Sequence, residues 1–250
     1  MDRRSIVGKN TSIAWCHHTF NPWWGCVKVS PACDHCYAEV MARRTGHAVW
    51  GADAPRRVFG ESHWAAPLTW DRDATRRGRR ARVFCASMAD VFEARQELTG
   101  ARQRLWDLVE ATSMLDWLLL TKRPHQIRRC VPAAWLTTPP ANVWYGTTVE
   151  SPEYLWRLDA LRDVPAVVRF VSYEPALADV IWPLTGMHWL IAGGESGAGC
   201  RPPDPAWIRS ARDQAVAAGV KFFFKQWGGI TAKRNGRVLD GREWNEVPGR

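Results

Sequence analysis

Six short apolar runs, helical stretches between several of them, and polar residues closing each run mark this chain as an α/β protein. The arrangement expected is a (β/α) barrel or partial barrel of about six to eight units. The runs are Val83-Phe84-Cys85-Ala86, Trp117-Leu118-Leu119-Leu120, Val143-Trp144-Tyr145, Val167-Val168-Arg169-Phe170-Val171, Trp189-Leu190-Ile191-Ala192 and Val220-Lys221-Phe222-Phe223-Phe224. Each is too short for a helix and too continuously apolar for a half-exposed strand, so each reads as a buried parallel strand. Right-handed crossovers through the intervening helices then close the sheet toward a barrel. With 250 residues, 46% hydrophobic content and 16 tryptophans, the chain can bury a large core as a single domain over 1–250.

Four segments follow in order: a cysteine-rich loop at 15–44, a basic excursion at 45–80, barrel units at 81–226 and a C-terminal hairpin at 227–250. A short strand at 19–24 leads into the cysteine loop, which ends in a helix at 37–44, making one βα unit. The excursion is poorly periodic and rich in Gly, Pro, Arg and Trp. A helix at 98–112 carries Leu98, Leu105, Leu108 and Val109 at helical spacing. Ser151-Pro152 supplies an N-cap and first-turn proline ahead of Tyr154, Leu155, Leu158 and Leu161. Asp204-Pro205 repeats that device before Ile208, Ala211, Ala215 and Ala218, and Gly219 stops the helix. Asn235-Gly236 and Asp240-Gly241 are tight-turn dipeptides around Val238 and Leu239, the mark of a small hairpin. Trp227 and Trp244 either pack it down or offer a stacking platform for a base. There is no internal repeat, P-loop or GxGxxG signature.

Composition narrows the function. No apolar run approaches the roughly 20 residues a membrane span needs, and the opening residues lack the apolar stretch of a secretory signal, so the expected location is the cytoplasm. Lys and Arg outnumber Asp and Glu 34 to 25, a formal charge of +9, which favours an anionic partner such as DNA or RNA. The densest basic cluster, Arg76, Arg77, Arg79 and Arg80, reads either as a phosphate-binding arm or as a solvated loop face.

Four of the seven cysteines lie between positions 15 and 44. In a reducing compartment, Cys26, Cys33 and Cys36 at C-x6-C-x2-C spacing point to metal or iron–sulfur ligands rather than disulfides. Two residues between Cys33 and Cys36 let both sulfurs turn toward one centre. Three thiolates on a [4Fe–4S] cluster leave one iron open for another ligand, whereas Cys16 as a fourth ligand would close a tetrahedral zinc site. Cys85 and Cys130 read as small buried hydrophobes. Cys200, after a glycine-rich turn, is a candidate reactive thiol near the barrel mouth, and His35 is placed to shield the ligand cysteines.

In a barrel the residues directly after each strand converge on one face. Here they are Ser87 and Asp90; Thr121 and Lys122; Thr147, Thr148 and Glu150; Ser172 and Glu174; Gly193, Gly194, Glu195 and Ser196; Lys225 and Gln226. Carboxylates at several strand ends suit a ligand with amine, hydroxyl or ribose groups. Ser87, Asp90, Thr148, Glu150, Glu174 and the set Gly193-Gly194-Glu195 are the candidate contacts. The two glycines permit close backbone approach, and Glu195 can accept from an ammonium group.

The run NPWWGCVKVSPACDHCYAE, with SIAWCHHTFNP ahead of it, resembles the phage Gp37/Gp68 family, whose W-N-P, G-C and C-x-x-C-Y-A pattern is grouped with radical S-adenosylmethionine (SAM) proteins. The resemblance extends to MADVFE, LLLTKRP, GTTVE, SYEPAL, GGESG and FKQWG. It implies a radical SAM-like barrel with a [4Fe–4S] cluster on Cys26, Cys33 and Cys36. SAM would bind the open iron, and its one-electron cleavage would give a 5′-deoxyadenosyl radical that abstracts hydrogen from a substrate. It implies further that Tyr37 lies near the adenine and that Gly193-Gly194-Glu195 meets the methionyl amine. A three-Cys-motif partner protein and an electron donor such as flavodoxin or ferredoxin are the implied protein partners. Two departures stand: most radical SAM enzymes space their cysteines C-x3-C-x2-C, and their G-G-E element usually follows the second strand. Distant similarity in motif style to radical enzymes of DNA lesions, with the basic charge, points to DNA modification or repair. The alternatives are a zinc-stabilised nucleic-acid-binding protein and a non-catalytic, cluster-bearing accessory protein.

Overall fold

The computed structural model describes residues 8–9, 11–232 and 234–249. In chain order it contains β1 (Gly8–Lys9), β2 (His18–Thr19), β3 (Trp23–Trp24), α1 (Tyr37–Arg44), β4 (Arg57–Val58), α2 (Glu61–Trp64), α3 (Ala66–Arg77) and β5 (Ala81–Cys85). Then come α4 (Thr99–Ala111), β6 (Leu115–Thr121), α5 (Ile127–Cys130), β7 (Val143–Thr148), α6 (Trp156–Arg162) and β8 (Val168–Tyr173). The chain finishes with β9 (Trp189–Gly193), α7 (Pro205–Ala217), β10 (Lys221–Gln226), β11 (Val238–Leu239) and β12 (Arg242–Glu243).

Among the described residues the main sheet has eight strands in the order β1-β2-β5-β6-β7-β8-β9-β10. The seven from β2 onward run parallel, and β1 pairs antiparallel with β2. Every parallel strand lies beside its predecessor in this sheet, so the sheet grows in one direction and curls into an open half-barrel with helices on its convex side. The period-2 alternation of the strands divides the core into two. Phe84, Leu118, Trp144, Phe170, Trp189, Ile191 and Phe223 meet Trp15 on the concave side. Val83, Trp117, Leu119, Tyr145, Val171, Leu190, Phe222 and Phe224 pack with Leu105, Leu158, Leu161, Ile208 and Ala211 of the helices. Gly146 makes the concave layer possible: a Cβ there would lie 2.3 Å from the Phe170 ring.

The structure revises three element boundaries. The strand expected at 19–24 is two pieces, because Asn21 breaks the run: its side chain accepts from Met88 N at 2.7 Å and meets Ser87 Oγ at 3.2 Å. β2 joins the main sheet while β3 pairs with β4 outside it. The basic excursion at 45–80 is not a loop but holds β4, α2 and the 12-residue α3. Its buried Pro67, Trp70 and Ala74 are too sparse among charged residues to show as a period, and Trp70 stacks on His18 at 4.4 Å. Ser151 and Pro152 take the N-cap and first position as expected, but of a 3-10 turn rather than an α-helix, and the Ser151 side chain makes no capping hydrogen bond. Its hydroxyl donates to Glu153, a 3-10 turn spans Pro152–Tyr154, and α6 starts at Trp156. Asp204 does cap α7, accepting from Ala206 N at 2.8 Å, and Gly219 ends the segment with φ +68.

The C-terminal hairpin turns at Asp240 and Gly241, with φ +50 and +82. Trp227 donates to Val238 O at 2.9 Å and Trp244 sets its edge on Phe222, so both tryptophans hold this ribbon against the sheet. Among the described residues no helix is long and apolar enough to cross a membrane.

Candidate active site at the mouth of the half-barrel

A cavity of about 530 Å³ opens at the C-terminal ends of the parallel strands, within the 300–1,000 Å³ range typical of ligand sites. Cys26, Cys33, Cys36 and Tyr37 line one wall, facing Ser87, Asp90, Thr121, Lys122, Arg123, Thr148, Ser172, Glu174, Ser196, Lys225 and Gln226. The cysteine wall is built locally. Gly25, at φ +113, passes so close to the next segment that a Cβ would sit 2.2 Å from Val49 O. Pro31 opens a short 3-10 turn ending at Cys33, and Cys36 occupies the N-cap of α1. Burial raises the Cys36 thiol pKa, while the N–H groups of Glu39 and Ala38 at that helix start pull it down.

Arg123 joins this wall to the sheet. Its Nη2 donates to Val27 O at 2.8 Å, and its Nη1 donates to Asp90 at 2.9 Å and approaches Cys26 Sγ at 3.7 Å. Asp90 also accepts from Thr121 Oγ1 at 2.8 Å, Phe92 N at 3.0 Å and Lys122 N at 3.2 Å. Burial pushes the Cys26 thiol up to about 12, the Asp90 charge adds to that, and the Arg123 guanidinium opposes both.

On the opposite wall Lys225 Nζ lies 2.9 Å from Glu174 Oε1, and Ser172 Oγ is 3.3 Å from Glu174 Oε2. These charges stand on β10 and just beyond β8, with β9 between them. Gly193 of β9 lets them meet, since a Cβ there would lie 3.0 Å from Glu174 Oε1. Tyr37 is 50% exposed, and its hydroxyl donates to Ser87 O at 2.9 Å.

Ser87, Asp90, Thr148, Glu174, Tyr37 and the three cysteines therefore share one cavity, whereas Glu150, Gly193, Gly194, Glu195 and Cys200 are outside its lining. Glu150 is fully buried in an ion pair with Arg157 at 2.9 Å. The Glu195 carboxylate is taken by Arg201, through its backbone N at 2.9 Å and its guanidinium at 2.7 Å, and by His35 Nδ1 at 2.9 Å. Burial works against that carboxylate, but Arg201 and His35 outweigh it and hold its pKa below the usual range. Arg201 also donates to Pro31 O at 2.8 Å, so the group ties the cysteine loop to the end of β9. His35 thus braces the loop through Glu195. Gly194 is required by packing, because a Cβ would lie 2.1 Å from Trp227 O.

The Arg76, Arg77, Arg79 and Arg80 cluster sits at the end of α3 and the start of β5, the end of the sheet away from the cavity. Arg76 pairs with Asp73, and Arg80 with Asp116 at 2.9 Å. In the sequence Lys122 and Lys225 stand at strand ends with nothing to mark them as site residues, and Arg123 carries no signal of its own. Their importance comes from partners far away in sequence, which no local pattern announces.

The donor set fits an iron–sulfur cluster in kind: three soft thiols share one wall, one of them beside a guanidinium and one at a helix start. Among the described residues no group of three His, Cys, Asp or Glu is placed to hold a single metal ion. Cys16 does not line the cavity; it is buried with Trp15 and Phe84 in the concave core.

Fold and site together define an open parallel half-barrel with a cysteine-walled mouth. The chain belongs to the family described as "Protein of unknown function (DUF5131)", whose model matches residues 10–248. No curated protein matches it. Among solved structures it is similar to spore photoproduct lyase. A point-mutant form of that enzyme and its complex with dinucleoside spore photoproduct each give a TM-score of 0.52 at 12% identity, over 86% of this chain. A double mutant with bound AdoMet and dinucleoside spore photoproduct gives 0.52 at 11%. This chain covers 64% of the length of those enzymes, and the likeness establishes the fold.

Proposed function

We propose that this protein is a radical SAM enzyme acting on nucleic acid, in DNA modification or repair. The observation that carries the reading is the placement of Cys26, Cys33 and Cys36 on one wall of a cavity at the strand ends. The fold supports it, being shared with an enzyme whose structures contain AdoMet and a dinucleoside photoproduct. Cys26, Cys33 and Cys36 would hold a [4Fe–4S] cluster, and Arg123 would lower the cost of the Cys26 thiolate. Bound together, the reduced cluster and SAM supply a 5′-deoxyadenosyl radical. Across the cavity Glu174 has the charge to take the methionyl ammonium and Lys225 the charge to take its carboxylate, each exchanging its present partner for the zwitterion. Tyr37 offers a ring face for adenine, while Ser87, Thr148 and Ser172 add hydroxyls for ribose. An electron donor of the flavodoxin or ferredoxin type and a three-Cys-motif partner protein belong to this proposal through the resemblance to phage Gp37/Gp68 proteins.

The test is anaerobic reconstitution followed by iron and sulfide analysis, SAM titration and, after dithionite reduction, measurement of 5′-deoxyadenosine. Cys26→Ala, Cys33→Ala and Cys36→Ala are each expected to lose the cluster and Cys16→Ala to retain it. Equal loss in Cys16→Ala would return the closed zinc-type site. Wild-type protein with an intact cluster that neither binds SAM nor releases 5′-deoxyadenosine would sink the enzymatic reading.

A further inference from the structure

Glu150 and Arg157 form the most deeply buried ion pair of the site region, yet neither lines the cavity. Burying both charges costs several kcal/mol per ion unless hydrogen bonds and geometry repay it, and Glu150 Oε1 is left without a hydrogen-bond partner. What the pair supports is on the surface. Arg157 donates to Thr148 O at 2.9 Å, at the cavity edge, and its guanidinium lies 4.2 Å from the Tyr154 ring centroid and 5.8 Å from that of Trp156. Trp156 is 45% exposed, and its other neighbour is the exposed His125, with ring centroids 5.6 Å apart.

These rings stand on the two connections that leave the cavity end of the sheet after β6 and β7. Exposed Arg128 and Arg129 stand on α5 just after His125, Arg128 steadied by donating to Asp163 O at 2.8 Å, and Lys122 lies just ahead of His125 in the cavity. A fixed, half-exposed tryptophan flanked by a histidine and by cationic residues suits a nucleobase: the ring stacks on any base, and the cations meet the phosphates on either side.

We infer that Tyr154, Trp156 and His125 form a stacking shelf for an unpaired base beside the nucleotide held in the cavity, with Arg128 and Arg129 on its backbone. This rests on the nucleic-acid reading above and gives it a location. The overall charge of +9 matches an anionic partner, and chemistry on a base inside a cavity of about 530 Å³ requires that base to leave the stack. The shelf therefore selects single-stranded or locally opened substrate.

The test is fluorescence anisotropy of a labelled single-stranded oligonucleotide of mixed sequence, and of the same strand in duplex, with reconstituted wild-type protein and variants. Trp156 is at the surface, so its replacement should leave iron content and thermal unfolding intact. Trp156→Ala is expected to weaken single-strand binding by about ten- to a hundredfold. Trp156→Phe should restore most of it, and neither change should alter the slope of log affinity against log salt. Arg128→Gln with Arg129→Gln should flatten that slope. Unchanged affinity in Trp156→Ala would overturn the shelf and leave the nucleic-acid target standing. Absence of nucleic-acid binding by the wild type would remove target and shelf together, while SAM cleavage in the same sample would still report on the enzyme itself.

Discussion

Glu174 and Lys225 neutralise one another across a glycine, and that pairing gives the cavity its polarity without leaving an isolated charge inside it. A ligand with both an ammonium and a carboxylate can replace each half of the pair by the other's equivalent, so its desolvation is offset from both ends. Replacing Glu174 by Gln should forfeit a charge-assisted hydrogen bond of roughly 1.5–3 kcal/mol, which is about one to two decades in SAM affinity by titration of reconstituted protein. Lys225→Gln should act in the same direction, and Glu195→Gln should leave SAM affinity near the wild-type value because its partners are Arg201 and His35. Normal SAM binding by both Glu174→Gln and Lys225→Gln would place the methionyl end elsewhere. At this scale the sequence was half legible. Glu174 and Glu195 both follow apolar runs and look alike as text; only the reach of Arg201 from six residues away, and of His35 from the cysteine loop, separates a brace from an open contact.

Between β3 and α1 the cysteine loop has only one 3-10 turn, Pro31–Cys33, and it is held at two points by arginines on unrelated segments. Arg123 reaches it from the end of β6, and the Glu195–Arg201–His35 group reaches it from beyond β9. The second attachment depends on pH. Because the Glu195 carboxylate titrates lower in the folded chain than the roughly 4.3 of a free glutamate, its contribution is full above that value and is lost as pH falls through its lowered pKa. Wild-type protein should therefore lose its stability advantage over Glu195→Gln on acidification below about pH 4, measured by urea unfolding across the acid range; a difference independent of pH would assign Glu195 no such role. The helices α1, α4 and α7 were legible because their caps, turns or apolar spacing are local. By contrast, α3 was not, since its buried face is Pro67, Trp70 and Ala74 amid arginines and aspartates, and Trp70 finds its partner in His18 across the fold.

Over the whole molecule, six of the seven parallel strands, β5 to β10, are readable from their apolar runs, whereas β2 is only His18–Thr19 and carries no such run; the two-sided division of the core is not readable, because both faces are equally hydrophobic. The concave side is an aromatic layer with no slack. Gly146→Ala would drive a methyl group into the Phe170 ring and should cost about 1–3 kcal/mol in urea unfolding, most of it recovered when Phe170→Leu is added; a neutral Gly146→Ala would show that the layer can shift. The polarity of the sheet also separates the two basic regions, leaving the arginines that follow α3 at one end and the cavity at the other. The half-barrel is open, so β10 is a terminal strand, and the chain covers it with its own tail: Phe224 N donates to Trp244 O at 3.0 Å and Glu246 N to Phe222 O at 3.2 Å. That tail is a gatekeeper against edge-to-edge pairing between molecules. Cut away from residue 237 onward, the protein would present the peptide groups of Phe222, Phe223 and Phe224 to any other extended chain, and the expected result is concentration-dependent self-association in light scattering where the full chain stays dispersed.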